Sequence, residues 1–251
     1  MNYQERIPKV IHYCWFGKKE KNELVKKCID SWKKNLPDFN IIEWNEDNYD
    51  ITKNDFIKYA YQNEKWAFVS DFVRLDVLYQ HGGIYLDTDV EVRKSFDPFL
   101  NHSFFTCFET GIENENYLVS TAVLGSIKSN KVISDFLNIY RNMDSEQYVN
   151  FKTPNTQILT KLLVENYGLN IKDEKQLPKD NICVYPSDYF CAKNWATKKL
   201  VITKNTHAIH HFDGSWKGFK DKVGILIMGK VRDFFGIDLY TVIKKFKKRT
   251  G

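Results

Sequence analysis

An α/β fold with a mainly parallel central sheet is the architecture that this sequence predicts. Short β-type runs alternate with helical runs through the first third of the chain, and this order favours a parallel sheet covered by helices. A Gly82-Gly83 pair separates the longest helical run from a short apolar strand, and acidic residues follow that strand directly. Because open α/β sheets bind ligands at the carboxyl ends of their strands, we expect the chemistry there.

Apolar spacing and turn residues locate the elements of the first half of the chain. The run from Ile7 to Trp15 is rich in β-branched and aromatic residues, and a helical stripe with Leu24 and Trp32 follows it. Pro37 ends that helix, because proline lacks the amide hydrogen that a helix interior needs. We therefore predict strands over residues 7–15, 40–44, 84–86 and 89–92, and helices over residues 22–34, 55–61 and 66–79.

The second half of the chain is less regular, and its sequence shows no internal repeat, low-complexity segment or linker. Apolar runs predict strands over residues 104–108, 118–124 and 183–186. Helical spacing predicts helices over residues 132–143 and 155–166. With 251 residues, the chain is long enough to form one large domain with a sizeable core.

The cysteine pattern and the lack of long apolar runs bear on the cell compartment. Five cysteines are present, an odd number without a C-x-x-C spacing, which argues against a disulfide framework and a zinc site. Reduced thiols are typical of the cytosol. The polar stretch Met1 to Lys9 is unlike a secretory signal, and no run is long enough for a membrane span. We therefore predict a cytoplasmic protein, held at the inner face of the cell membrane if its tail binds lipid.

Positive charge is concentrated at the C-terminal end of the chain. The net charge is +5, but residues 217–251 contain ten Lys/Arg and three Asp/Glu, so the remainder is slightly acidic. This distribution argues against a nucleic-acid groove across the fold. Apolar residues precede the last lysines, so this tail is either a basic amphipathic helix on an anionic membrane or a solvated terminal segment. We predict a domain over residues 1–216 and a helical tail over residues 217–251.

An acidic pair, Asp87 and Asp89, follows the predicted strand 84–86. Alternate residues of an extended chain point to the same side, so two carboxylates separated by Thr88 can converge on one ion. Hard divalent cations prefer oxygen ligands and can neutralise a nucleotide diphosphate. A D-x-D pair alone is more often a solvated loop, so its meaning depends on the residues around it.

The residues before the acidic pair supply that context. The chain reads Ser70-Asp71-x-x-Arg74 on the predicted helix and then Gly82-Gly83-x-Tyr85-x-Asp87-x-Asp89. This pattern resembles the DxD-containing sugar-binding region of glycosyltransferase family 32, and it is similar to a pattern in the glucosyltransferase domain of the large clostridial toxins. The resemblance implies a GT-A type nucleotide-sugar-binding sandwich.

Several residues of this region have local alternatives to ligand binding. Asp71 and Arg74 are three positions apart, so they share a helix face and can form an intrahelical ion pair instead of holding donor hydroxyls or phosphate. Tyr85 can be a core residue or a ligand contact. By the resemblance, donor contacts are expected from Ser70, Asp71, Arg74, Tyr85 and Asp87. The expected catalytic set is Asp71, Arg74, Asp87 and Asp89.

A second matching segment runs from Ile7 to Gly17 and reads IPKVIHYCWFG. Family 32 proteins and the toxins begin similarly, and the resemblance implies that Trp15 stacks on the nucleobase, since aromatic faces stack on bases favourably. Asn48 matches a toxin asparagine that supports the nucleoside. Trp15 can instead be a core residue, and His12 is expected to be a core histidine without a chemical role.

A third matching segment, His210-His211-Phe212-Asp-Gly-Ser215-Trp216, lies near the end of the predicted domain. It resembles the H-H-x-x-x-S-W signature of family 32, in which a histidine or serine completes the metal shell and the tryptophan contacts the leaving phosphate or the sugar. Phe212 stands where the toxins have an acidic residue, so the toxin metal shell does not transfer directly. The expected metal ligands are Asp87, Asp89, His211 and Ser215, with His210 as an open alternative. Ser215 and Trp216 are also expected donor contacts.

The resemblance as a whole implies a retaining glycosyltransferase that depends on Mn²⁺ or Mg²⁺. The expected donor is a UDP-hexose, with glucose or galactose favoured. The expected acceptor is a saccharide, lipid-linked if the protein acts in capsular or other surface polysaccharide synthesis. GDP-mannose is the alternative donor. The alternative functions are a nucleotide-sugar hydrolase or phosphotransferase, a non-catalytic carbohydrate-binding protein, and a toxin-like enzyme that modifies a host protein.

Overall fold

The computed structural model describes residues 6–109, 117–151 and 153–213, in which strands and helices are interleaved. The strands are β1 (Val10–Cys14), β2 (Asn40–Trp44), β3 (Gly83–Leu86), β4 (Val90–Val92), β5 (Phe104–Glu109), β6 (Leu118–Val119), β7 (Val123–Ser126), β8 (Ile182–Tyr185) and β9 (Ala208–His210). The helices are α1 (Glu23–Asn35), α2 (Asp55–Gln62), α3 (Trp66–His81), α4 (Lys131–Arg141), α5 (Ser145–Val149) and α6 (Asn155–Tyr167).

The central sheet has seven strands in the order β2-β1-β3-β7-β5-β6, and β8 also pairs with β5. β1 is parallel to β2 and β3, and β5 is parallel to β8. β7 is antiparallel to β3 and β5, and β6 is antiparallel to β5. More residues pair in parallel than in antiparallel ladders, so the predicted α/β class with a mainly parallel central sheet is confirmed. β4 and β9 form a separate antiparallel ladder.

Each face of the central sheet has its own apolar core, because successive strand residues point to opposite sides. Tyr85 belongs to the core that contains buried residues of α2, α3, α4 and α6, such as Phe56 and Phe72. Its neighbours Ile84 and Leu86 belong to the other core, which includes the buried face of α1. The strand that leads to Asp87 is therefore fixed from both sides.

The second half of the chain differs most from the sequence-based prediction. Residues 118–124 form two strands, β6 and β7, instead of the single predicted strand. Between them, the Thr121 carbonyl accepts from a side chain, that of Arg74, and the strand pairing resumes at Ala122, whose carbonyl accepts from the Asp87 amide. Neither α5 nor β9 is predicted from the sequence pattern. The predicted tail, residues 217–251, lies outside the described residues. Among the residues that the structure describes, no helix is long and apolar enough to cross a bilayer.

Helix α3 is buried on nearly all sides, although its sequence includes charged residues. Asp71, Arg74 and Asp76 are all buried together with the apolar residues between them. Charged groups are rarely buried unless they are paired, because leaving water is costly. The interior therefore has to supply partners for these three side chains.

The turn between α3 and β3 depends on His12 and two glycines. Trp44 Nε1 donates to His12 Nδ1 at 3.0 Å, which leaves the ring proton on Nε2 to donate to the Gly82 carbonyl at 2.8 Å. Burial lowers the pKa of His12 to about 4, so the ring stays neutral and keeps this hydrogen bond. The prediction that His12 is a core histidine is confirmed. Gly83 follows with φ +106°, a conformation that side-chain-bearing residues rarely adopt.

Replacing Gly83 by alanine tests this turn, and Gly168 offers a matched control. A Cβ atom at Gly83 would lie 2.7 Å from the Val10 carbonyl oxygen, whereas a Cβ at Gly168, which also has positive φ, meets nothing within 4 Å. We expect Gly83→Ala to reduce the free energy of unfolding by about 3 kcal/mol or more, from backbone strain and overpacking together. Gly168→Ala has only the backbone cost, about 1 kcal/mol. Urea unfolding of both variants measures the difference, and equal losses would contradict the turn's assigned role.

Candidate active site

The guanidinium group of Arg74 lies at the centre of the candidate site, and only 4% of the residue is exposed. Nε donates to the Ser70 carbonyl and Nη2 to the Ser70 hydroxyl, both at 3.1 Å. Nη2 is also 3.0 Å from Asp71 Oδ1. Nη1 donates to the Thr121 carbonyl at 2.8 Å and lies 3.2 Å from Asp87 Oδ1. Because a guanidinium carries five N–H groups, these contacts use its full set of donors.

Tyr85 covers one face of that guanidinium group and also holds Asp87. The Arg74 Cζ atom is 4.6 Å from the centre of the Tyr85 ring, a cation–π distance. The Tyr85 hydroxyl donates to Asp87 Oδ1 at 3.2 Å, and burial keeps it protonated by raising the pKa of Tyr85 far above its usual range. The Asp87 carboxylate is thus fixed by two side chains at the point where β3 ends.

The Asp71 carboxylate is held on the other side of Arg74. Its Oδ1 atom accepts from Asn155 Nδ2 at the start of α6 as well as facing Arg74 Nη2. Burial raises the pKa of Asp71 to about 6, although the neighbouring Arg74 charge opposes the shift. The predicted intrahelical ion pair is therefore present, but it lies inside a larger buried network.

The second carboxylate of the acidic pair, Asp89, is brought together with His210. β4 and β9 pair antiparallel, and the His211 amide donates to the Asp89 carbonyl at 2.9 Å, which aligns the two segments. His210 Nε2 lies 3.3 Å from Asp89 Oδ1. Burial opposes a charge on this ring, but the Asp89 carboxylate holds the pKa of His210 well above its usual range. Ligand atoms of Asp87, Asp89 and His210 all lie within 4.8 Å of one another.

His211, the histidine expected at the metal, points elsewhere. Its Nε2 atom is 3.0 Å from Glu91 Oε2, and Glu91 also pairs with Lys27. Adjacent residues of a strand face opposite sides, so His210 and His211 are not on the same side of the β4–β9 ladder. Of the two histidines, the structure brings His210 to the acidic pair.

Trp15 directly follows β1, and Asn48 lies in the loop after β2. His12 pairs with Tyr85 in the parallel β1–β3 ladder, so Trp15 and Asp87 follow their strands at the same edge of the sheet. Trp15 lines an open cleft of about 540 Å³ together with several lysine and acidic residues. The Asn48 side chain closes the loop after β2, since Nδ2 donates to the Glu43 carbonyl at 2.7 Å and Oδ1 accepts from the Asn45 amide. The predicted contacts Ser215 and Trp216 lie outside the described residues.

Two residues next to His210, Glu109 and Cys191, are not among the site residues that the sequence predicts. Glu109 ends the otherwise apolar strand β5, and Cys191 lies between β8 and β9, bridged through its backbone to Ile209. Ligand atoms of Glu109, Cys191 and His210 lie within 4.8 Å of one another. Burial raises the pKa of Glu109 to about 8. A carboxylate at the end of a buried strand is a signal in the sequence for Glu109, whereas the proximity of Cys191 arises only from the fold.

Comparisons with known proteins match the region that builds this site. Residues 22–106 match the family described as a glycosyltransferase sugar-binding region containing a DXD motif. The chain is 30% identical over 108 residues to inositol phosphoceramide mannosyltransferase 3 of Schizosaccharomyces pombe. This alignment covers 40% of this chain and 29% of that enzyme. It is 34% identical over 145 residues to an uncharacterized glycosyltransferase of Acanthamoeba polyphaga mimivirus. This alignment covers 55% of this chain and 55% of the viral protein.

Among solved structures, the PaToxG glycosyltransferase has a TM-score of 0.49 and 20% sequence identity, with 64% of this chain and 70% of that chain covered. Of the relatives matched by sequence, the chain spans less than a third of the length of the yeast enzyme and about half of the length of the viral protein. The matched region contains Asp71, Arg74, Asp87 and Asp89.

Removing the charge of Arg74 tests its place at the centre of the network. Breaking a buried ion pair by deleting one partner typically costs 3–5 kcal/mol, and we expect Arg74→Met to lower the free energy of unfolding by about that amount at neutral pH. Adding Asp71→Asn removes one of the carboxylates that have lost the Arg74 charge. The double variant is therefore expected to regain about 1–2 kcal/mol of the free energy of unfolding. Denaturant unfolding of wild type, both single variants and the double variant gives the coupling energy. Strictly additive losses would contradict the buried network.

Proposed function

We propose that this chain, whose residues 22–106 match the DXD-containing sugar-binding region of glycosyltransferases, is a metal-dependent retaining hexosyltransferase. It would move a sugar from a nucleoside diphosphate to a saccharide hydroxyl. The observation that carries the proposal is the convergence of Asp87, Asp89 and His210, with ligand atoms within 4.8 Å of one another. This cluster lies directly beside the buried Arg74–Asp71 pair, because Arg74 contacts both Asp71 and Asp87.

The donor set of this cluster fits a divalent cation. Two carboxylate oxygens and one imidazole nitrogen suit Mn²⁺, and Mg²⁺ accepts the carboxylates as well. We assign the ion to Asp87, Asp89 and His210, in place of His211, because His211 is engaged by Glu91. Ser215 stays an expected ligand. A divalent cation bound there supplies positive charge that stabilises the leaving diphosphate.

Arg74 acts in this proposal as a positioning residue. Its N–H groups are engaged by Ser70, Asp71, Thr121 and Asp87, so it orients the two carboxylates instead of donating to the sugar. Arg74 and Asn155 both contact Oδ1 of Asp71, and we assign Oδ2 to hydroxyl groups of the donor sugar. Ser70 and Tyr85 then support Arg74 and Asp87 from within the protein. Trp15 and Asn48 are assigned to the nucleoside at the same sheet edge.

The proposed reaction breaks the bond between the anomeric carbon and the diphosphate oxygen and forms a bond to the acceptor oxygen. No carboxylate of this cluster is assigned as a covalent nucleophile. The acceptor hydroxyl attacks from the face that the diphosphate leaves, and its proton passes to the diphosphate oxygen. The side chains contribute by holding both substrates in position and by providing charge that is already oriented before the reaction.

The proposed donor is a UDP-hexose, with glucose or galactose favoured, and the proposed setting is capsular or other surface polysaccharide synthesis. A lipid-linked acceptor would suit the basic segment 217–251, which can be attracted to anionic lipid at the inner face of the membrane. GDP-mannose is the second candidate donor, because the yeast relative is named as a mannosyltransferase. Hydrolysis of a panel of UDP- and GDP-sugars in the presence of Mn²⁺ separates these donors. A non-catalytic carbohydrate-binding protein would consume none of them.

The two adjacent histidines allow a direct test of the metal assignment. We expect Asp89→Asn and His210→Gln to weaken Mn²⁺-dependent UDP binding about 100-fold or more, since even residues that only support a ligand contribute 10–100-fold. His211→Gln loses its hydrogen bond to Glu91 but is expected to change UDP binding less than about threefold. Calorimetric titration of UDP with Mn²⁺, and again with EDTA, measures these affinities. A larger effect from His211→Gln than from His210→Gln would overturn the assignment.

The raised pKa of Asp71 predicts how donor binding depends on pH. The carboxylate is charged above about pH 6 and becomes protonated as the pH falls through that value, so its contacts with sugar hydroxyls weaken in acid. At saturating Mn²⁺, we expect donor affinity at pH 5 to be about tenfold below that at pH 7.5. Asp71→Asn should bind donor weakly and without that part of the pH dependence. Because other titrating groups are common to both proteins, an unchanged profile in Asp71→Asn would rule out this role.

A further inference from the structure

Glu109, Cys191 and His210 form a second cluster of ligand atoms beside the acidic pair. β5 supplies Glu109, the segment between β8 and β9 supplies Cys191, and β9 supplies His210. The backbone bridge between Cys191 and Ile209 holds the thiol next to the histidine. Their ligand atoms lie within 4.8 Å of one another. The proposed transferase mechanism uses neither Glu109 nor Cys191.

Burial distinguishes this cluster from a chance group of surface residues. Cys191 is only 2% exposed. His210 Nε2 faces Asp89, while its other ring nitrogen, Nδ1, is buried without a hydrogen-bond partner among the described residues. A buried nitrogen without a partner is costly, and metal coordination is one way to satisfy it. Cys191 Sγ is held by a hydrogen bond of 3.3 Å to the Ser120 hydroxyl.

We propose that Glu109, Cys191 and His210 form a binding site for Zn²⁺. Thiolate sulfur, imidazole nitrogen and carboxylate oxygen are the three ligand types that Zn²⁺ takes in proteins. Tetrahedral coordination places such ligands about 3.5 Å apart, so the cluster needs only a small contraction. Binding takes Cys191 as thiolate, Glu109 as carboxylate and His210 as neutral imidazole, and the protons that these three side chains carry beforehand are released to solvent. A fourth position remains for water.

This zinc site and the proposed transferase metal site exclude each other because they share His210. A neutral imidazole has one nitrogen with a free lone pair, and the other nitrogen carries a proton, so one ring binds one ion at neutral pH. Zn²⁺ binds nitrogen and sulfur ligands more strongly than Mn²⁺ does. Zn²⁺ therefore inhibits the transferase by removing His210 from the acidic pair. The exclusion rests on the proposed function, whereas the zinc site itself does not.

Cobalt spectroscopy tests the site without relying on activity. Co²⁺ occupies zinc sites, and its thiolate complexes give a strong sulfur-to-metal charge-transfer band in the near ultraviolet, which oxygen and nitrogen ligands do not produce. We expect the wild-type 251-residue chain to develop this band with about one Co²⁺ per chain, and Zn²⁺ to abolish it. Cys191→Ser should lack the band. Cys28→Ser, which removes a buried thiol on α1, should keep it.

The absence of the band in wild type, or its persistence in Cys191→Ser, would overturn the proposal. If Cys191→Ser does not fold, Glu109→Gln supplies a second variant that keeps the thiol. Its affinity for Zn²⁺, measured by competition with a chromophoric chelator, is expected to fall about 100-fold. An unchanged affinity would also overturn the assigned ligand set.

The exclusion is tested by titrating Zn²⁺ into protein with UDP and Mn²⁺. In wild type, the Zn²⁺ concentration that halves UDP binding should increase tenfold when the Mn²⁺ concentration is increased tenfold. Cys191→Ser should bind UDP with Mn²⁺ as wild type does and require about 100-fold more Zn²⁺. A cobalt band without Mn²⁺-dependent UDP binding would refute the proposed function and leave the zinc site standing. Zn²⁺ binding that leaves UDP binding unchanged would refute the exclusion.

Discussion

The candidate site depends on how one buried positive charge, that of Arg74, is satisfied. Its guanidinium group contacts a helix residue, Asp71, a residue that follows a strand, Asp87, and a loop carbonyl, that of Thr121. Taking a charge out of water is expensive, so these partners must all be in place for the fold to be stable. The same contacts set the directions of both carboxylates. Stability and the geometry proposed for donor binding therefore have a common origin.

Backbone features of the chain provide the partners that Arg74 needs. The Trp44–His12–Gly82 hydrogen-bond chain fixes the turn through which α3 enters β3. Between β6 and β7, the Thr121 carbonyl accepts from Arg74, and the Ala122 carbonyl accepts from the Asp87 amide in continuation of the β3–β7 register. A regular strand over that segment would have used the Thr121 carbonyl in a ladder. The irregularity is thus part of the site.

The sequence predicts the parts of this architecture that depend on local signals. Helix α3, the Gly82-Gly83 turn and the position of Asp87 after a strand follow from periodicity and turn chemistry. The three-residue spacing of Asp71 and Arg74 predicts their ion pair. The choice between His210 and His211 depends on the side that each faces at the end of β9, a strand that the pattern does not reveal. Glu109 and Cys191 are far apart in the chain, so only the fold shows that they meet His210.

His210 connects the two metal hypotheses, since it contributes to both groups of ligand atoms. In the proposed function, the acidic pair and this histidine form one site for a divalent cation with a nucleotide diphosphate. The most direct measurement is anomalous scattering from Mn²⁺ in crystals grown with MnCl₂ and UDP. We expect one Mn²⁺ peak bounded by Asp87, Asp89 and His210, next to the diphosphate. No peak at that position, or a peak between His211 and Glu91, would contradict it.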